Sequence, residues 1–364
     1  MGNNLTLFAG KKALEIIGDE GLRPERISTV ASAAGGPKWL VLNGLDRALF
    51  GTFFCGRNTP LHLVGSSIGA WRFAALAQPD PMAALGRLEK AYIGQRYRRR
   101  PSPARVTRES LWVMGRYLTD SAMEEILAHP WFRLNIITAK SRHLTTARHA
   151  LPLAMGLGAA AGANLVGRQW LSLFFDRVIF HDPRSAPPFL PQDRFDTRCV
   201  PLAQENLKKA LLASGSIPLV MSGVEQIPGA PAGVYRDGGI IDYHLDLSYG
   251  PGDGIVLFPH YTERMIPGWL DKGLAWRKPD SANLDRVLMV APSEGFVQSL
   301  PLGKISDRND FYRFAGADWE RMAYWHTVVS RGRLLAEEFM ELAASKRIRE
   351  RVRPFSEAGI VRRV

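Results

Sequence analysis

The stretch Leu61-His62-Leu63-Val64-Gly65-Ser66-Ser67-Ile68-Gly69-Ala70-Trp71-Arg72-Phe73-Ala74-Ala75-Leu76 decides how the chain is read. Leu61 to Gly65 is a short apolar run of the kind that makes a buried strand, and Ala70 to Leu76 continues as a helix former. Between them, Gly65-Ser66-Ser67-Ile68-Gly69 fits the pattern G-x-S-x-G. In that pattern a serine occupies a sharp strand-to-helix turn, and the flanking glycines let strand and helix approach each other. The hydroxyl is pushed up at the end of a sheet, beside the bare N–H groups and positive dipole end of a helix, where a developing oxyanion is stabilised. Ser67 is therefore the candidate nucleophile, with Gly65 and Gly69 as supports of the turn.

The same alternation recurs upstream and downstream. Ile27 to Ala31 leads into the small-residue turn Ala33-Ala34-Gly35-Gly36, and Pro37 then opens a stretch with helical spacing at Leu40, Val41, Gly44, Leu45, Ala48 and Leu49. Proline suits a first helical turn, where its missing N–H leaves no bond unmade. Further apolar runs lie at Leu134 to Ala139, Arg177 to Phe180, Ile255 to Phe258 and Val287 to Ala291. Continuous rather than alternating hydrophobicity means strands buried on both faces, so the pattern predicts an α/β fold with a mostly parallel central sheet between helical layers.

Size and charge bound the rest. The chain has 364 residues, 46% of them hydrophobic, enough for a substantial core. With no internal repeat or low-complexity tract, a single domain over 1–364 is expected. The less regular, arginine- and aromatic-rich region from about 79 to 170 reads as a helical cap, and about 310–353 as a C-terminal helical region with Met322, Trp325, Val329, Leu335 and Phe339 on its apolar side. Two cysteines, Cys55 and Cys199, support neither a disulfide framework nor a cysteine metal site, and the N-terminus lacks the pattern of a secretory signal, so a reducing, cytoplasmic setting is expected. The charge-free stretch from Ala150 to Gly167 is mostly Ala and Gly with Pro152 and Asn164 inside, which argues for a buried helix or a cap rather than a membrane span.

A second small-residue turn carries chemistry. Ala34-Gly35-Gly36-Pro37, followed by Lys38, presents backbone N–H groups suited to the negative oxygen of a tetrahedral intermediate. The P-loop pattern G-x-x-x-x-G-K-[ST] is absent. A third piece, Asp237-Gly238-Gly239, sets a carboxylate at a tight turn, where it could accept the serine proton; alone, such a tripeptide is an ordinary turn.

Taken together, these pieces resemble the patatin-like phospholipase family. That family has a glycine-rich oxyanion turn, then a G-x-S-x-G elbow, then far downstream D-G-[GA], and all three occur here in that order. Ala213-Ser214-Gly215-Ser216-Ile217-Pro218-Leu219-Val220 looks like its A-S-x-A-x-P segment, so the resemblance spans about 26–250. It implies a patatin-like three-layer α/β/α fold, Ser67 as nucleophile and Asp237 as its general base, a dyad without histidine. Gly35 and Gly36, with Ala34, would form the oxyanion hole, and Lys38 matches the basic residue after that turn. Gly238 and Gly239 complete the motif. Ala34 stands at the first glycine's place, Trp39 at the closing glycine's, and Tyr243 and Leu245 replace the usual asparagine and proline, which touches the shape of the acyl pocket.

The implied activity is hydrolysis of lipid carboxylic esters, as a phospholipase A or lysophospholipase, through an acyl-enzyme and with no cofactor or metal. A soluble ester or thioester is the alternative substrate, and a catalytically idle lipid-binding protein the alternative of another class. His244, His260 and His326 all follow Asp237, so a serine–aspartate–histidine order is also available, although none of the three carries a supporting motif. An aspartate near its unperturbed pKa is a weak base at neutral pH, so a dyad requires that Asp237 be partly desolvated, as Val234, Tyr235, Ile240 and Ile241 would allow. The chain carries a net charge of +12, with clusters at Arg96, Arg98, Arg99, Arg100, Arg105 and Arg108 and over Lys346 to Arg363. Such clusters are either a solvated basic surface or a means of meeting an anionic membrane from the cytoplasmic side; no nucleic-acid module accompanies them.

Overall fold

The computed structural model describes residues 3–97, 101–189, 193–250, 252–357 and 360. Its strands are β1 (Leu5–Ala9), β2 (Ile27–Ser32), β3 (Leu61–Ser66), β4 (Phe132–Ser141), β5 (Phe175–His181), β6 (Thr197–Pro201), β7 (Tyr235–Asp237), β8 (Ile255–Pro259), β9 (Val287–Pro292) and β10 (Val352–Pro354). The helices are α1 (Lys11–Glu20), α2 (Asn43–Ala48), α3 (Ile68–Leu76), α4 (Pro81–Ile93), α5 (Pro103–Gly115), α6 (Asp120–Ala128) and α7 (Ala150–Val166). They continue with α8 (Gln204–Ser214), α9 (Glu294–Gln298), α10 (Asp310–Arg313), α11 (Asp318–Arg331), α12 (Arg333–Ala344) and α13 (Ile348–Arg351).

All ten strands join one sheet in the order β10-β1-β9-β8-β2-β3-β4-β5-β6, with β7 paired to β4 off this path. Pairing is mostly parallel; β1 with β9, β4 with β5 and β4 with β7 are the antiparallel pairs. The fold is a mixed α/β one of three-layer α/β/α type. Every residue of β8 and β9 is buried, which explains why those runs read as unbroken apolar sequence.

Each of the six apolar runs becomes a strand. Four more strands carry no comparable signal. Among these, β7 has three residues, β6 is half solvated at the sheet edge, and β1 is a five-residue run near the N-terminus. Pro37 does stand in a first helical turn, but that turn belongs to a 3-10 helix, Gly36–Leu42, which passes into α2.

The structure corrects or refines three expectations about the helices. The cap region 79–170 is not one insertion, because it contains β4, a strand of the central sheet that pairs with β3, β5 and β7. Of the two readings of 150–167, a buried helix or a cap, full burial does not hold: α7 turns Leu153, Leu157 and Ala160 inward but leaves Leu151 and Val166 exposed, 73% and 82%. The helical region expected at 310–353 is made of four helices, and it ends in a strand, β10. The break between α11 and α12 falls at Gly332, where a Cβ would stand 2.4 Å from the Val41 carbonyl oxygen, so the chain can pass the 36–42 turn only without a side chain.

The C-terminal cations mostly hold structure: Arg351 bonds Glu338 and the Leu5 carbonyl, Arg349 bonds the Asp19 carbonyl, and Arg353 lies over the Phe8 ring. In the other cluster Arg96 stacks on Trp319, while Arg105 and Arg108 are exposed on α5. Arg98, Arg99, Arg100, Arg362 and Arg363 lie outside the described residues.

Candidate active site

The sheet itself brings the serine and the aspartate together. β4 pairs with β5 along one edge, from Asn135 to Ser141, and its other edge is shared end to end: β3 pairs up to Ser66 opposite Ile137, and β7 continues with Asp237 opposite Thr138. Consecutive register positions on β4 therefore carry the residue before Ser67 and the aspartate. Ser67 Oγ donates a 2.7 Å hydrogen bond to Asp237 Oδ2, and both residues are buried.

Ser67 caps the start of α3 with φ 57° and ψ −128°, a region costly for any residue with a side chain, by about 1–3 kcal/mol. Neighbouring contacts hold it there. Its backbone N–H donates to Ser214 Oγ at 2.8 Å, and Ser214 Oγ in turn donates to the Ile137 carbonyl at 2.7 Å. The glycines of the turn are set by close approach: a Cβ on Gly65 would meet the Ala70 nitrogen at 2.5 Å, and one on Gly69 the Ser32 carbonyl oxygen at 2.2 Å. Behind the turn, Arg72 of α3 is fully buried and binds Asp46 and Ser32 Oγ, tying α3 to α2 and to the end of β2.

Asp237 is held from three directions. Oδ1 accepts from the Gly239 N–H at 2.8 Å, Oδ2 accepts from Ser67, and the Asp237 N–H donates to the Ser216 carbonyl. Gly238 sits against β4, where a Cβ would be 2.2 Å from the Ile137 carbonyl oxygen. Burial pushes the Asp237 carboxyl up from its ordinary value, against the opposing pull of the Ser67 and Gly239 bonds and of Arg308 and Lys272. The segment 213–220 thus touches both partners, through Ser214 and Ser216. Sequence reading marked the segment but not these two roles, which depend on a contact across the sheet.

Of the glycine turn, Gly35 and Gly36 line the same cavity as Ser67. The Gly35 N–H has no hydrogen-bond partner among the described residues, and Gly36 opens its 3-10 helix, whose first N–H groups have none within the helix. Ala34 differs from its expected part. Its N–H is spent on the Tyr243 carbonyl at 2.9 Å, so it fixes the turn and cannot also donate to an oxyanion. The Ala34 carbonyl accepts from Tyr261 Oη at 2.6 Å, which itself meets His244 Nε2 at 2.7 Å. Ile68, at the first position of α3, supplies a further N–H beside Ser67.

The histidines stand apart from the pair. His244 is buried behind the glycine turn and His260 packs on it, both with pKa depressed by burial, and His326 is exposed on α11. Asp237 takes its side-chain bonds from Ser67 and Gly239 alone among the described residues. A triad does not form.

Two lobes of one cleft meet at Ser67. The first is apolar, with Trp71, Tyr92, Val106, Met221 and Phe311 on its walls. The second is polar and holds Asp237, Lys38, Lys272, Asp307 and Arg308. Lys38 was read from its place after the turn; Lys272 and Arg308 come from loops with no motif, and no sequence signal marks them. Among the described residues no group of three or more His, Cys, Asp or Glu is placed to hold a metal ion, and no helix is long and apolar enough to cross a membrane.

No protein-family model matches the chain, and no curated protein matches it. Among solved structures, the chain is similar to VipD from Legionella pneumophila, at 12% identity and a TM-score of 0.33, over 86% of this chain and 67% of that one.

Proposed function

We propose that the protein is a serine acyl hydrolase acting on carboxylic esters of lipids through a Ser67–Asp237 dyad, in the manner of the patatin-like phospholipases its motifs resemble. The observation that carries this reading is the 2.7 Å bond from a strained, buried serine to a desolvated aspartate beside two glycine amides. Ser67 Oγ attacks the ester carbonyl carbon and its proton passes to Asp237 Oδ2. The carbonyl oxygen, now negative, accepts from the N–H groups of Gly35, Gly36 and Ile68. The carbon–oxygen ester bond breaks, and the Asp237 proton goes to the leaving alkoxide. Water then attacks the acyl-enzyme, gives its proton to Asp237, and Ser67 leaves as the protonated alcohol, with the acid released.

Supporting a lipid substrate, the apolar lobe beside Ser67 suits an acyl chain. The exposed apolar residues of α7 also suit work at a lipid–water interface, where the protein would be peripheral rather than spanning. A fluorophosphonate probe tests the nucleophile: labelling of the wild type at Ser67, absent in Ser67→Ala, is the expected result. Full esterase activity in Ser67→Ala would overturn the reading.

A further inference from the structure

The oxyanion turn has one backbone donor fewer than its sequence promises. The Ala34 N–H donates to the Tyr243 carbonyl at 2.9 Å, which leaves Gly35, Gly36 and Ile68 as the amides beside Ser67. Against the same turn stands a side chain that the dyad chemistry does not use. An Arg308 terminal nitrogen lies 3.8 Å from where a Cβ on Gly36 would be. Arg308 is half-buried, and its guanidinium makes no ion pair or hydrogen bond among the described residues. It lines both lobes of the cleft, as Ser67 and Gly36 do. Lys38 and Lys272 line the polar lobe alone and lie over the Tyr261 and Tyr243 rings, at 4.9 and 4.2 Å.

The segment around Arg308 holds it there with its charge intact. Ser306, fully buried, donates from Oγ to the Pro37 carbonyl at 2.8 Å and so docks the segment on the oxyanion turn itself. Asp307 and Asp310 flank Arg308 in sequence, yet both are taken by Lys304, whose Nζ bonds Asp307 Oδ2 at 3.0 Å and Asp310 Oδ1 at 2.6 Å. Their other oxygens accept from the Asn309 N–H, the Asp307 N–H and Trp325 Nε1. Asp237, the remaining carboxylate of the polar lobe, is bonded to Ser67 and Gly239. A half-buried cation left without a partner costs desolvation in the resting protein. It becomes favourable when negative charge develops beside it, because a charge-assisted hydrogen bond is about twice as strong as a neutral one. Beside Ser67 the group that gains charge is the substrate carbonyl oxygen.

We propose that Arg308 is the side-chain cation of the oxyanion site: it donates a hydrogen bond to the carbonyl oxygen as that oxygen becomes negative, and so makes up for the amide that Ala34 withholds. This rests on the hydrolase reading and adds a catalytic residue to it. As Ser67 Oγ bonds to the carbonyl carbon, the π pair of the carbonyl moves onto its oxygen and the serine proton moves to Asp237 Oδ2. One negative charge thereby leaves Asp237 and arises on the oxygen that Arg308 faces. On collapse the pair returns, the ester carbon–oxygen bond breaks and the Asp237 proton goes to the leaving alkoxide. Arg308 keeps its protons throughout. Because the oxygen is uncharged in the bound substrate, the contact strengthens only toward the tetrahedral state and acts on kcat rather than on KM.

The first test reads the oxyanion directly. Dodecyl trifluoromethyl ketone adds to Ser67 Oγ as a hemiketal with a negative oxygen, the serine proton again going to Asp237, whereas dodecyl methyl ketone binds as the neutral ketone. Arg308→Gln should weaken binding of the trifluoromethyl ketone about a hundredfold, the size of one oxyanion donor, and leave the methyl ketone nearly unchanged. Arg308→Lys, a cation without the fork, should recover part of that loss. A folding defect would weaken both ketones alike. Equal losses for the two, or a wild-type preference for the trifluoromethyl ketone that survives Arg308→Gln, overturns the role of Arg308 and leaves the hydrolase. A wild type that binds both ketones equally and takes no fluorophosphonate at Ser67 overturns the hydrolase reading itself.

The second test follows turnover of a neutral and an anionic ester, hexanoyl glycerol and the hexanoyl ester of glycerol phosphate. Arg308→Gln should lower kcat on the neutral ester about a hundredfold with KM nearly constant. The fall in kcat on the anionic ester should match it, because the oxyanion is common to both. A loss confined to the anionic ester, or one that appears in KM alone, makes Arg308 a binder of the leaving group and overturns its place at the oxyanion.

Discussion

Ser67 and Asp237 lie 170 residues apart and are joined by a 2.7 Å hydrogen bond because β4 is longer than either of the strands that share its second edge. β3 stops at Ser66, opposite Ile137, and β7 ends at Asp237, opposite the next residue, Thr138. The meeting is thus a property of sheet register rather than of loop placement. Loops would hold the pair loosely, whereas strand pairing fixes it from both sides, which is what proton transfer over one hydrogen bond requires.

The raised pKa of Asp237 has a definite consequence for pH dependence. A base must be ionised, and a carboxyl whose pKa is raised loses its charge at a higher pH than a free aspartate. The kcat/KM profile on a neutral soluble ester is therefore expected to fall on its acid side through a single ionisation above the usual aspartate value of about 3.9. A profile flat down to that value would show that Asp237 does not serve as the base.

The elbow stores strain, and the comparison of two substitutions measures it. Ser67→Ala and Ser67→Gly both remove the hydroxyl and leave Asp237 without that bond, so their difference isolates the backbone. Elsewhere glycine costs about 0.5–1 kcal/mol relative to alanine. At φ 57° and ψ −128° the order should reverse, with the glycine variant more stable by about 1 kcal/mol in urea unfolding.

Much of this was legible in the sequence because it is local. The elbow, the glycine turn and the D-G-G tripeptide are each specified within five residues, and strands buried on both faces announce themselves by unbroken apolar runs. What was not legible depends on distant partners. The Ala34 amide looks free in sequence and is taken by Tyr243, and Ser214 is one serine among many until β4 places it under the elbow. For α7 the sequence left a buried helix and a cap both open, because hydropathy does not say which face meets protein. Lys272 and Arg308 reach the cleft from loops, where no periodicity or spacing points inward.

Ser214 bridges the elbow to β4, accepting from the Ser67 N–H and donating to the Ile137 carbonyl. Ser214→Ala leaves both groups buried without that partner, at a cost of about 1–3 kcal/mol. Because the elbow loosens without any change in the walls of the cleft, kcat is expected to fall about tenfold with KM nearly constant. A rise in KM with kcat unchanged would place Ser214 outside the support of the nucleophile.

Tyr261 is the corresponding support of the oxyanion turn. Its hydroxyl donates to the Ala34 carbonyl and meets His244 Nε2, and a Cβ on Gly35 would come within 2.6 Å of its ring. Tyr261→Phe keeps the ring and removes both bonds. Stability should drop by about 1–3 kcal/mol, and the rate of acylation by a fluorophosphonate should drop with it. In contrast, His244 makes no hydrogen bond to Ser67 or Asp237 and supports the turn from behind, through Tyr261 and Tyr243, so Ser67 in a folded His244→Gln variant should still be labelled.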